Sequence, residues 1–179
     1  MAELKGSKTE ANLKAAFAGE SQARNKYTYY GSAARKAGYN QIADFFEETA
    51  SNEREHAKIW FKLLMGGIGK TEDNLADAAS GEQFEWTNMY GGYAQTARQE
   101  GLDKIAFLFD EVAKIEKTHE ERFNRLLQNM KTGKVFDREE PEVWYCANCG
   151  HNHYGKEAPE VCPVCGHPRA YFQIKSTNY

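Results

Sequence analysis

The chain has no cysteine in its first 145 residues, no proline before position 141, and no apolar run longer than a few residues. Each lack excludes something. Without proline, long unbroken helices are open to the whole stretch before position 141. Runs such as "IWF" and "IAFLF" are too short to cross a bilayer. The opening segment, "MAELKGSKTEANLKAAF", is charged throughout and has no apolar signal core. Lys and Arg number 23 against 26 Asp and Glu, a net charge of −3. That balance implies no basic face, so nucleic acid is not an expected partner. A soluble, cytoplasmic protein with no membrane partner is the expectation. Its 41% hydrophobic content is enough for a packed core.

What is present is a repeat. The segment "GESQARNKYTYYGSAARKAGYNQIADFFEETASNEREHAKIWFKLL" from Gly19 matches "GEQFEWTNMYGGYAQTARQEGLDKIAFLFDEVAKIEKTHEERFNRLL" from Gly81. Gly19-Glu20 pairs with Gly81-Glu82 at an offset of 62, and from Tyr27 and Tyr90 onward the offset is 63. Tyr30/Tyr93, Arg35/Arg98, Gly38/Gly101, Ile42/Ile105, Phe46/Phe109, Glu53/Glu116 and His56/His119 all follow. Each half reads as two helices joined at a glycine. Helix one starts at a capping box, Ser7-x-x-Glu10, and stops near Gly38. Helix two runs from about Asn40 to Met65, ended by Gly66-Gly67. Helix three spans about Thr71 to Gly101, and helix four about Asp103 to Lys131. Four long helices without strand signals predict a mainly α four-helix bundle over residues 1–135, and a small domain follows over 136–179. Residues 132–142, "TGKVFDREEPE", read as a linker. The change of offset between Glu82 and Tyr90 predicts a π-bulge there, because a helix absorbs an extra residue in that way.

The repeat carries chemistry. Glu53-x-x-His56 and Glu116-x-x-His119 each place a carboxylate and an imidazole on one helix face. Glu20 and Glu82 supply one carboxylate on each partner helix. A Glu from two helices and Glu-x-x-His from two others is the ligand recipe of a di-metal carboxylate site. Oxygen-rich ligands with one imidazole per ion suit iron or manganese. The alternative is an exposed polar face, but it must explain both bundle histidines falling in register. Glu85 follows Glu82 by three and shares its face, where the first half offers Ala23 or Gln22. It reads as a spare carboxylate at one end of the site, or else a surface residue. Tyr27 and Tyr90 read as hydrogen-bond donors behind the ligand carboxylates, or as plain core tyrosines.

The cysteines, Cys146, Cys149, Cys162 and Cys165, form C-x2-C-x12-C-x2-C. Two such knuckles hold a tetrahedral thiolate site, and spacing alone leaves zinc and iron open. His151, His153 and His167 read as surface residues, His167 with the option of a hydrogen bond to the cluster.

The motifs "AFAGESQARNKY", "EREHAK", "GEQFEWTNMY", "IEKTHEERF" and "APEVCPVCGHP" resemble the rubrerythrin family over nearly the whole chain. The resemblance implies a ferritin-like di-iron bundle followed by a rubredoxin-like domain, with two irons in the bundle and one in the four-cysteine site. Glu20, Glu53, Glu82, Glu85, Glu116 and His119 then match di-iron ligands. His56 matches the histidine that trades places with the residue at Glu85 as one iron is reduced. The expected activity is reduction of hydrogen peroxide to water. Electrons would come from an external donor, a rubredoxin or an NAD(P)H-dependent reductase, through the tail. A ferroxidase or iron-handling protein is the alternative use of the same site, and a zinc-ribbon scaffold is a third possibility. The connector "GGIGK" is short against that of some relatives. If helices two and three are parallel, five residues reach about 17 Å against helices of roughly 40 Å. A domain-swapped homodimer is therefore expected, unless helix three starts later than Thr71 and its first turns form the crossover.

Overall fold

The computed structural model describes residues 3–177. It divides into two compact units, residues 1–69 and 70–179.

The first unit is a helical hairpin of α1 (Lys8–Lys36) and α2 (Asn40–Met65). Ser7 caps α1, its Oγ accepting from the Glu10 backbone N–H at 3.1 Å. The return arm of the expected capping box reaches one residue further, as the Glu10 carboxylate accepts from Gly6 N–H at 2.6 Å. Gly38 turns the chain at φ +85°, a conformation costly for any residue with a Cβ. Arg35 ties the end of α1 to the start of α2 through Asp44 and Glu47, both at 2.8 Å.

Small residues set the spacing inside the hairpin. Ala43, Ala50 and Ala57 recur every seven residues along α2 and are buried. A Cβ added at Gly31 on α1 would stand 3.3 Å from both the Ala43 carbonyl and the Glu47 side chain. Gly31→Leu is therefore expected to destabilise the folded chain by about 1–3 kcal/mol, by overpacking a close helix crossing. Chemical denaturation would measure it. Gly31→Ala should be nearly silent, because Ala94 fills the repeat-equivalent place in the second unit and is buried.

The larger apolar side chains of the hairpin lie elsewhere. Ile42, Phe45, Ile59 and Leu63 of α2 are all half exposed or more. They form a stripe with nothing from their own hairpin over it.

The second unit opens with α3 (Thr71–Phe84), a π-turn (Glu85–Met89), α4 (Tyr90–Gln99) and α5 (Asp103–Lys131). Helix three of the sequence is thus one helix with a π-turn inside it, at the place the offset indicated. It begins at Thr71, so a later start with an extended crossover is excluded. Details of the first hairpin return here. Gly101 turns the chain at φ +75°, and Arg98 pairs with Asp110. The Tyr27–Tyr30–Phe46 ring cluster has a twin in Tyr90–Tyr93–Phe109. Ile105, Leu108 and Leu126 of α5 are exposed at the positions matching Ile42, Phe45 and Leu63.

A three-stranded antiparallel sheet, ordered β2-β1-β3, completes the unit. Its strands are β1 (Asp137–Cys146), β2 (Asn152–Glu157) and β3 (Phe172–Ile174). Part of the expected linker is therefore strand. Residues 137–142 are charged except for Pro141 and lack alternation, so their side chains carry no strand signal. They pair through the backbone alone, irregularly, with a register shift between Asp137 and Glu142. A small core of Trp144, Cys146, Ala158, Cys162 and Phe172 lies behind the sheet. The Trp144 indole is satisfied by the Gly155 carbonyl at 3.0 Å.

Candidate metal centres

Each hairpin holds half of the expected bundle site. On α2 the Glu53-x-x-His56 spacing puts the His56 Nδ1 2.9 Å from Glu53 Oε2, and Glu20 of α1 reaches to 3.9 Å from the same nitrogen. On α5, His119 Nδ1 is 2.7 Å from Glu116 Oε2, with Glu82 of α3 at 3.4 Å. In each trio the possible ligand atoms lie within 4.8 Å of one another. The carboxylates are half-buried, while His56 is the more exposed histidine.

These carboxylates crowd one another. The Glu20 carboxyl is raised above the ordinary glutamate value, first by its hydrogen bond with Glu53 and then by burial and by the Glu53 charge. Glu82 is raised too, first by burial and then by Glu116. A divalent cation would relieve both, since an opposite charge restores the ionised form. The sign of the pH effect follows. Above 4.5, the ordinary glutamate value, these groups hold more protons folded than unfolded. Their contribution to stability is therefore lost as pH rises through the raised folded pKa. In the metal-free chain, Glu20→Gln and Glu82→Gln are expected to raise Tm at neutral pH, by an amount that shrinks as pH falls toward 4.5. Melting curves across pH on each variant and the parent would check this, and a pH-independent difference would contradict it.

Glu85 opens the π-turn and is half-buried, but it is not among the groups gathered within that distance around His119. Tyr90 stands close behind. Burial raises its phenol, and so do the charges of Glu85, Glu116 and Glu82. Tyr27 packs its ring on Phe46 and Tyr30. Two tryptophans escaped the sequence reading. The buried Trp60 Nε1 has no hydrogen-bond partner of proper geometry, yet the indole is close enough to Glu20 to lower its pKa slightly. Its repeat partner is Phe123, so a mismatch between the halves was the available signal. Trp86 is the other.

The tail gathers all four thiols. Cys146 and Cys165 stand with Sγ atoms 3.7 Å apart, and Cys149 and Cys162 3.6 Å apart. Four sulfurs at about 2.3 Å around a tetrahedral ion lie roughly 3.8 Å from each other. The spacing is thus that of ligands and not of a disulfide. Both knuckles have one build. The first cysteine's N–H donates to the carbonyl of His151 or His167, at 2.8 Å in each case. The glycine after the second cysteine donates back to the first at 2.9 Å. The His167 N–H holds the Cys165 thiol down to about 6 against the cost of burial, helped by Cys149, Cys162 and Asn148. Cys149 also receives a lowering N–H, from His151, but burial and the other three thiols push it up to about 12. His167 places its Nδ1 3.3 Å from the Cys165 carbonyl and its ring on Tyr171.

Paired Glu and Glu-x-x-His trios on helical hairpins, followed by a tetrathiolate knuckle domain, define the class of ferritin-like di-iron carboxylate proteins with a rubredoxin-like tail. The family described as rubrerythrin matches residues 11–127 and 73–147, and its rubredoxin-like domain matches 144–173. Rubrerythrin-1 of Clostridium acetobutylicum is 49% identical over 195 residues, covering 100% of both chains. Rubrerythrin of Porphyromonas gingivalis is 49% identical over 188 residues, covering 98% of this chain and 94% of the relative. Rubrerythrin of Nitratidesulfovibrio vulgaris is 48% identical over 191 residues, covering 100% of both. A solved nigerythrin in a partially reduced state is 32% identical, with 94% of this chain and 87% of that one covered, at a TM-score of 0.37. The chain belongs to the rubrerythrin family. Its cofactors are accordingly two iron ions in a carboxylate and histidine site and one iron ion in the four-cysteine site. The donor sets fit both. Among the described residues, no helix is long and apolar enough to cross a membrane.

Proposed function

We propose that this chain is a cytoplasmic non-haem di-iron peroxidase, which reduces hydrogen peroxide to water with two electrons and two protons. The observation that carries this is the union, in one chain, of a two-metal carboxylate site and a one-electron tetrathiolate centre. The iron pair, when bound, supplies two electrons at once to a two-electron substrate. The tail accepts electrons singly from a rubredoxin or an NAD(P)H-dependent reductase, over the domain division 1–135 and 136–179. Glu20, Glu53, Glu82, Glu85, Glu116, His56 and His119 are the bundle ligands of this scheme. With the irons bound, Glu20 and Glu82 lose the crowding that raises them and serve as ionised ligands. Tyr90, which lies among the charges of Glu85, Glu116 and Glu82, is proposed to donate to a ligand carboxylate, and Tyr27, its repeat partner on α1, to do the same in the other half. Anaerobic stopped-flow on the reduced protein tests the proposal. Reoxidation should be much faster with peroxide than with oxygen. Faster reaction with oxygen would instead favour a ferroxidase.

His56 and Glu85 are proposed to exchange at one iron with its redox state. Fe(III) prefers the hard carboxylate and Fe(II) tolerates the imidazole. His56→Ala is expected to spare the oxidised site and to lower iron occupancy and peroxide reactivity of the reduced one. Metal analysis in both states reads this out, and equal occupancy would count against the exchange.

The assembly proposed is a domain-swapped homodimer. Gly66 to Lys70 is all that separates α2 from α3. The matched exposed stripes of α2 and α5 need apolar cover, and each hairpin carries one half of the ligand set. In the swap, Glu20, Glu53 and His56 of one chain meet Glu82, Glu85, Glu116 and His119 of the other. A stable di-iron monomer in solution would rule this out.

A further inference from the structure

The π-turn at Glu85–Met89 is held from outside. Trp86, the residue after Glu85, donates its indole N–H to Glu120 Oε2 on α5 at 2.6 Å. Gln83 donates to the other oxygen of Glu120 at 3.2 Å, and Asn124 approaches that oxygen at 3.4 Å. The Lys117 ammonium lies 5.6 Å from the centre of the Trp86 ring. Trp86 and Glu120 are both half-buried. Glu120 directly follows His119, so the contact joins the backbone carrying one candidate ligand to the backbone carrying another.

The other hairpin supplies an internal control. At the place of Trp86 it has Arg24 or Ala23, according to where the offset changes, and at that of Glu120 it has Ala57. Ala57 is buried and belongs to the seven-residue alanine spacing of α2. In α5 that spacing continues through Ala106 and Ala113 and is broken by Glu120. The first hairpin has a continuous α1, no π-turn, and no carboxylate matching Glu85. Bulge, extra carboxylate and Trp–Glu contact thus occur together in one half and are all missing from the other. A π-turn is rare and occurs mostly as a single-turn bulge inside an α-helix, often at a functional site. A hydrogen bond to a charged acceptor is among the stronger restraints a side chain can offer.

We propose that the Trp86–Glu120 contact is a latch that pins the π-turn to α5 and thereby aims the Glu85 carboxylate at the bundle metals. Both are positioning residues, and the aim toward metal rests on the di-iron function proposed above. Gln83 completes the latch by fixing the second oxygen of Glu120, and Lys117 restrains the indole plane.

The test uses the full chain in two states. In the metal-free chain, hydrogen exchange of amides 85–90 should become about tenfold faster in Trp86→Phe and Glu120→Ala, the factor expected for loss of one hydrogen bond to a charged acceptor. Exchange elsewhere in α3 and α5 should not change. Glu120→Gln retains an acceptor oxygen and should restore most of the protection. With the tail filled by zinc, cobalt added to the bundle should show altered d–d bands and weaker second-ion binding in Trp86→Phe and Glu120→Ala, with Glu120→Gln near the parent. Unchanged exchange in both disrupting variants would overturn the latch. Faster exchange with an unchanged cobalt spectrum would overturn its aim at Glu85. Failure of the parent to take up bundle cobalt would overturn both that aim and the di-iron function, while exchange still decides the latch.

Discussion

Glu116→Ala is expected to leave the tail iron in place and to strip the bundle of both of its irons. Glu116 lies 2.7 Å from His119 Nδ1 and is the main charge beside Glu82. Its loss leaves that hairpin with Glu82 and His119, and with Glu85 at a distance. Replacing groups that merely support a ligand lowers metal affinity about 10–100-fold, and removing a proposed ligand should exceed that. The helices should survive, because alanine is the best helix former and Glu116 is only half-buried. The metal-free variant should even match or exceed the parent in Tm at neutral pH, because Glu82 loses its like-charged neighbour. Loss of metal without loss of fold separates a ligand from a structural residue. Metal analysis with circular dichroism measures both, and Glu53→Ala should behave alike. Two bundle irons retained in either variant would sink the ligand assignment.

Cys149→Ser should abolish donor-driven turnover, by more than about 100-fold, while a chemically reduced bundle still consumes peroxide once. The tail has few other means of holding together. Its core is five buried residues, of which Cys146 and Cys162 are two. Domains this small usually need a metal, a disulfide or a partner to fold. For such domains, the metal's binding energy is folding energy. Cys149 is the exposed member of the four, so its replacement removes a thiolate without cutting a cavity in that core. The expected signature is loss of the tail's visible bands together with faster exchange in β1 to β3, and helices unchanged. Steady-state turnover at the parent's rate would show that electrons bypass the tail.

The helices were legible because each is bounded by a strong local signal. Ser7 caps α1, glycines end α1 and α2, and no proline intervenes. The π-turn was legible from one change of offset, because a repeat turns an insertion into a visible mismatch. The two Glu–His pairs were legible because helical spacing alone puts Glu53 beside His56 and Glu116 beside His119. Less accessible was anything that depends on one helix meeting another. Trp86 reaches Glu120 only once the turn has rotated it toward α5. Trp60 approaches Glu20 across the α1–α2 crossing. The start of β1 stayed hidden for a different reason: residues 137–142 are held by the backbone, and their exposed charges say nothing about pairing.

The π-turn has a consequence for the electronic balance of the iron pair. Two identical hairpins would build a centre with two identical ends, and its ions would then share one potential. Under the peroxidase function proposed above, a centre that gives up two electrons and is refilled by one at a time profits from unequal ends, because the first returning electron then has a preferred seat. Unequal ends require unequal halves. One inserted residue between Glu82 and Tyr90 makes them so, and it leaves the turns, the ring clusters and the Glu-x-x-His pairs of both halves undisturbed.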